Sequence, residues 1–174
     1  YDDRTKVLFN GSNVIKNGEF TIMFAMPKDI SYTDGTGLMT LYAVSSDKTL
    51  TANGENESFE LIGSQTALTD SIGPSIYCYL NSKAFKNGDK VNTTPYFVAE
   101  LYDDSGINTS GSSIGHDLEL VIDGMMRYSY NLNAYFQYDF GDYHGGTVHF
   151  QLPELAEGPH KLLFRAWDVL NNST

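Results

Sequence analysis

Four residues in one stretch, Asp103, Asp104, Asn108 and Asp117, carry hard oxygen donors and lie on, or just beyond, a polar loop between two alternating runs. Clustered oxygen ligands on a loop are what calcium requires. The spacing is not that of an EF-hand, and Asp and Asn also occupy such loops because they make turns and cap chain ends. Calcium is thus the one cofactor the sequence nominates, and these four residues are its candidate ligands. His116, His144 and His149 could instead reach a transition metal, although scattered histidines on strand surfaces are the simpler reading. A cysteine nucleophile needs a base to activate it and donors for the oxyanion. The single cysteine, Cys78, alternates with tyrosines in SIYCYL and shares a face with Ile76 and Leu80. That is where an inert core thiol is expected, so no catalytic residue is assigned to this chain. Tyr128, Tyr130, Tyr135, Phe136, Tyr138, Phe140 and Tyr143 crowd one segment beside Asp139 and Asp142. Exposed, they would suit stacking on a sugar or a peptide; buried, they would fill a core, and the core is the favoured expectation.

The elements that must position these groups read as strands. Phe97, Ala99 and Leu101 alternate with polar or opposite-facing neighbours, as do Leu118, Leu120 and Ile122, which is the period-two signature of half-buried strands. Further strands are expected at Lys6 to Asn10, Glu19 to Met26, Leu38 to Val44, Ser58 to Ile62, Ser75 to Leu80, Thr147 to Leu152 and His160 to Val169. Ser45 to Asn56 reads as an exposed excursion, and Asn131 to Gln137 as a single helical turn at most. Asn17-Gly18 and Asp123-Gly124 are hairpin dipeptides, and Met125 to Leu132 should return beside the Leu118 strand. Pro27 removes a ladder donor and ends its run.

These segments predict an all-β protein with antiparallel strands and little or no helix, for which immunoglobulin-like β-sandwich modules are the leading reading; the pattern alone does not separate them from a jelly roll. The boundary is placed in the polar stretch Gln65 to Pro74. Residues 1–68 form a partial β-sandwich module expected to lack upstream strands, and residues 69–174 a second sandwich.

At 174 residues, with 41% hydrophobic and 13% aromatic residues, the chain can bury a sizeable core. A net charge of -11 argues against nucleic acid and anionic membranes as partners, and no apolar run is long enough to span a bilayer as a helix, so direct membrane insertion is not expected. One cysteine excludes an internal disulfide and a cysteine-based zinc site.

Three long strings, MPKDISYTDGTGLMTLYA, DDSGINTSGSSIGHDLELVIDG and YNLNAYFQYDFGDYHGGTVHFQLPELAEGPHKLLFRAWDVLNNS, resemble the carboxy-terminal region of type IX secretion system sortases, within the gingipain-like cysteine peptidase family. The likeness runs from about Val7 to Ser173. It implies a parent protein at the outer-membrane surface of a Gram-negative bacterium that removes the carboxy-terminal signal of secreted cargo and attaches the cargo to lipopolysaccharide. It further implies that the catalytic Cys and His belong to an upstream peptidase domain and that this chain is a non-catalytic β-region. Its implied partners are that peptidase domain, secreted cargo and the secretion machinery. Two rival readings stand beside it: a stand-alone adhesin-type module that binds glycans or peptides through the Tyr128 to Tyr143 cluster, and an enzyme in its own right, which would lose activity on replacing Cys78 or His116.

Overall fold

The computed structural model describes residues 7–28, 30, 36–60, 69–111 and 114–174. Nine strands run through them: β1 (Met39–Val44), β2 (Thr51–Asn56), β3 (Ser75–Leu80), β4 (Tyr96–Tyr102), β5 (Glu119–Ile122), β6 (Ser129–Asn131), β7 (Phe136–Tyr138), β8 (Gly145–Gln151) and β9 (Leu162–Arg165). All pairings between them are antiparallel. Among the described residues, helix is confined to two single 3-10 turns, Met126–Tyr128 and Asn133–Tyr135.

Contacts divide the described residues into two units. The first, within 36–60, is the β1–β2 hairpin, extended by a bridge between Thr36 and Glu60. Its turn is fastened by the Asp47 carboxylate, which accepts from the Ser45 and Thr49 hydroxyls and the Thr49 amide; the Ser45 bond and its companions pull the carboxyl down to about 2. The sequence Thr-Ala-Asn-Gly-Glu-Asn of β2 has no apolar alternation and is exposed throughout, which is why it reads as an excursion; backbone pairing with β1 makes it a strand. The expected strand at Ser58 to Ile62 is reduced, among the described residues, to the Glu60 bridge; residues 61 and 62 lie outside them, as do residues 65–68 of the expected boundary stretch.

The second unit is a sandwich. One sheet has the order β3-β4-β8-β7 and the other β6-β5-β9. With β3 to β9 taken as strands A, B, C, C′, D, E and F, these are the A-B-E-D and C′-C-F sheets of the immunoglobulin fold. Residues 172–174 run back along 166–168, at the position of a strand G: Ala166 and Thr174 exchange both backbone bonds and Trp167 bridges Ser173. Phe97, Ala99, Leu101, Val148 and Phe150 of the first sheet meet Leu120, Ile122 and Ala166 of the second in one core. Phe97 packs on Phe164 with centroids 5.3 Å apart, and Tyr130 on Phe150 at the same distance. Each fully buried Leu or Ile there contributes about 1.5–3 kcal/mol.

Residues 7–28 and Ile30 correct the expected partition, because they group with the sandwich instead of the hairpin. They form an irregular strap, not the two expected strands. Only the turn at Asn17-Gly18 is paired, through reciprocal Lys16–Glu19 bonds of 2.9 and 3.0 Å, and both turn residues have positive φ as the dipeptide requires. Phe9 stacks on Phe24 at 5.0 Å and on Tyr138 of β7 at 4.9 Å. The Gly141 amide donates to the Ser12 carbonyl, and the Lys28 amide donates to the Val169 carbonyl at 2.7 Å. Pro27 is fully buried and Ile30 nearly so.

Candidate functional site

The loop that follows β4 forms the candidate site because its backbone is committed to the C-terminal segment. The Asn108 amide donates to the Trp167 carbonyl, the Val169 amide to the Gly106 carbonyl, and Ile107 bridges Asp168. This pairing brings Asp168 against the start of the loop. Asp70 arrives from the other side, where its carboxylate accepts from the Ser105 hydroxyl at 2.7 Å and its carbonyl accepts from the Asn172 side-chain amide at 3.1 Å. As a result, oxygens of Asp70, Asp103 and Asp168 all lie within 4.8 Å of one another.

Among the described residues, six hydrogen bonds already serve these three carboxylates. Asp168, fully buried, accepts from the amides of Leu170 and Asn172 and from the Asn172 side chain. Asp103, 6% exposed, accepts from the Ser105 amide, and Asp70 from the Ile72 amide and the Ser105 hydroxyl. Burial raises the Asp103 carboxyl above its ordinary value, and the charges of Asp168 and Asp70 push it the same way. The Ile72 amide, followed by the Ser105 hydroxyl, lowers Asp70. Chemically the arrangement is a hub of turns that fixes the C-terminal segment. Its three carboxylates are also hard donors of the kind that hold calcium, short of the six to eight oxygens the ion takes.

Of the acidic calcium candidates in the sequence, Asp103 alone joins this set. Asp104 is exposed and accepts from the Tyr102 hydroxyl at 3.0 Å. Asp117 accepts from the Asn133 side chain at 2.7 Å, whose own oxygen takes the Leu118 amide, so it anchors the start of β5. Asn108 is buried and accepts from the amide and hydroxyl of Ser110. Sequence reasoning passed over Asp70, which lies in a stretch read as a boundary, and Asp168, which lies in a predicted strand. Neither has a local signal, since their meeting depends on pairing across the whole second unit.

The remaining candidates separate as well. Cys78 corrects its expected burial: it is exposed, because β3 is an edge strand with a neighbour on one side only among the described residues. Its thiol nonetheless lies on the face of Ala99, and desolvation there pushes it up to about 11. His149 is paired with Val98 and points to the opposite face from Cys78, where it stacks on Tyr96 at 6.0 Å. His144 is held by Asp142 through Nδ1 and stacks on Tyr143, while the His116 ring packs at a tilt against Trp167, centroids 4.1 Å apart. The aromatic segment divides: Phe136, Tyr130 and Tyr138 pack into the core, whereas Tyr128, Tyr135 and Phe140 are exposed. Tyr138 donates to the Ile107 carbonyl at 2.8 Å, and burial raises its phenol. A second set of aromatics, Tyr77, Tyr79, Tyr96 and Tyr102, shares the outer face of the four-stranded sheet around Glu100, which pairs with Lys83 at 2.5 Å.

No protein-family model matches the chain, and no curated protein matches it. Among solved structures it is similar to dimeric latent PorU from Porphyromonas gingivalis, with a TM-score of 0.61 and 40% sequence identity over 87% of this chain. The match takes in 14% of the PorU chain. The chain is therefore a PorU-related β-sandwich region, equivalent to a small part of that protein's length.

Proposed function

We propose that this chain is a non-catalytic β-region of a type IX secretion sortase, one that supports the peptidase part of its parent protein or contacts cargo and the secretion machinery at the cell surface. The observation that carries the reading is the 40% identity to PorU over 87% of the chain. Two features of the chemistry support it. The Cys78 thiol, pushed up to about 11, is protonated at neutral pH, and His149 lies across the sheet from it, so neither can activate the other. The chemistry of a cysteine peptidase would then have to come from elsewhere in the parent protein. The test compares cargo processing by the complete parent protein, by the parent lacking this region, and by the 174-residue chain. Processing by the complete protein that is lost without the region fits the proposal, and cleavage by the 174-residue chain overturns it.

The calcium expectation continues in a narrower form, with Asp103, Asp70 and Asp168 as the ligand set in place of Asp103, Asp104, Asn108 and Asp117. The observation that favours it is their convergence within 4.8 Å. Calorimetric titration of the metal-stripped chain with calcium tests it, and absence of binding removes it.

A further inference from the structure

We propose that His160 is a pH-sensitive staple, which fastens the turn after β5 to the segment leading into β9 while its ring carries two protons and slackens when one is lost. Both ring nitrogens face acceptors. Nδ1 lies 2.8 Å from Oδ2 of Asp123, and Nε2 lies 2.8 Å from the Ala156 carbonyl oxygen. An imidazole with one proton can satisfy only one of them and turns a lone pair toward the other; the imidazolium donates to both.

The rest of the contact is arranged around the same carboxylate. Asp123 has a positive φ and begins the Asp123-Gly124 turn, closed by the Met125 amide on the Ile122 carbonyl. Its other oxygen, Oδ1, accepts from the Lys161 amide at 2.8 Å, and its own amide donates to the Lys161 carbonyl at 2.7 Å. Asp123 is the charged group that faces the ring from the turn. From the ring's own segment come the neutral Ala156 carbonyl and Lys161, which meets Asp123 through its backbone.

The sign follows from the partners. The Ala156 carbonyl and then the Asp123 carboxylate raise the ring above histidine's ordinary 6.5. A group with a raised folded-state value contributes its stabilisation in full below the ordinary value and loses it as pH rises through the raised one. The staple is therefore closed below histidine's ordinary value and slackens as pH rises through the raised one.

Nuclear magnetic resonance on the 174-residue chain tests this by following the ring nitrogens of His160 and the exchange protection of the Lys161 amide against pH. The expected result is a ring titration midpoint above that of histidine in a short peptide, returned toward the peptide value by Asp123→Asn. Lys161 protection should fall across the same interval, and the fall should be absent in His160→Gln. A midpoint at or below the peptide value, or the same course of Lys161 protection in both proteins, would overturn the proposal. The ring titration needs no variant, so it decides the matter even where a substitution prevents folding.

Discussion

Asp103 is a carboxylate that the fold holds at a cost. Its raised proton affinity means that the folded state gains on the unfolded one as pH falls from neutrality through the raised value, the reverse of an ion-paired aspartate. Replacing Asp103 with Asn keeps an acceptor for the Ser105 amide and removes one of three neighbouring charges. In a chelator, Asp103→Asn should therefore melt above the native chain at neutral pH and lose that advantage as pH falls through the raised value. If calcium occupies the three carboxylates, adding it should raise the melting temperature of the native chain and leave that of Asp103→Asn unmoved. Cys78 gives a second test at this scale. A thiol pushed from 9.0 to about 11 has on the order of a hundredfold less thiolate, partly offset by the greater nucleophilicity of the more basic sulfur. Alkylation of the folded chain at pH 8 should be about tenfold slower than in urea despite the residue's exposure, given that offset. Equal rates would show that the thiol is not desolvated.

At the scale of elements, Gly146 shows how tightly β7 and β8 approach. A Cβ added there would come within 2.3 Å of the Gln137 carbonyl oxygen and 2.5 Å of the Phe136 ring. Gly146→Ala should destabilise by about 1–3 kcal/mol, the usual cost of overpacking, and thermal unfolding would measure it. Leu120→Ala empties a fully buried position between the sheets and should cost about 2–5 kcal/mol. Strands such as β4, β5 and β8 were legible because every second residue is apolar and buried in the core, which is a period of two written in sequence. β2 was not, since an exposed hairpin strand needs only backbone partners. β7 was hidden because Asn131 to Gln137 reads as a single helical turn at most; the turn takes only Asn133–Tyr135, Phe136 and Gln137 belong to β7, and three residues are too few to show a period. The site was legible only at Asp103. Its other two members reach it through long-range pairing, and spacing along the chain carries no trace of that.

At the scale of the molecule, the chain order and the spatial order differ. The strap of residues 7–28 and Ile30 belongs to the sandwich, whereas the β1–β2 hairpin lies between the strap and β3 in sequence and forms its own unit. The hairpin unit is thus an insertion within the sandwich's sequence. Two truncations separate this from a simple tandem of modules. A protein that begins at Thr69 loses the stacking of Phe9 on Tyr138 and the burial of Pro27 and Ile30, and should melt well below the full chain. A protein in which residues 31–68 are replaced by a flexible linker keeps those contacts and should retain most of the melting temperature, because lengthening or shortening a surface loop changes closure entropy only slowly. For anyone seeking the smallest self-sufficient piece of this chain, the useful cut is an internal excision, and the amino-terminal strap is the part to keep.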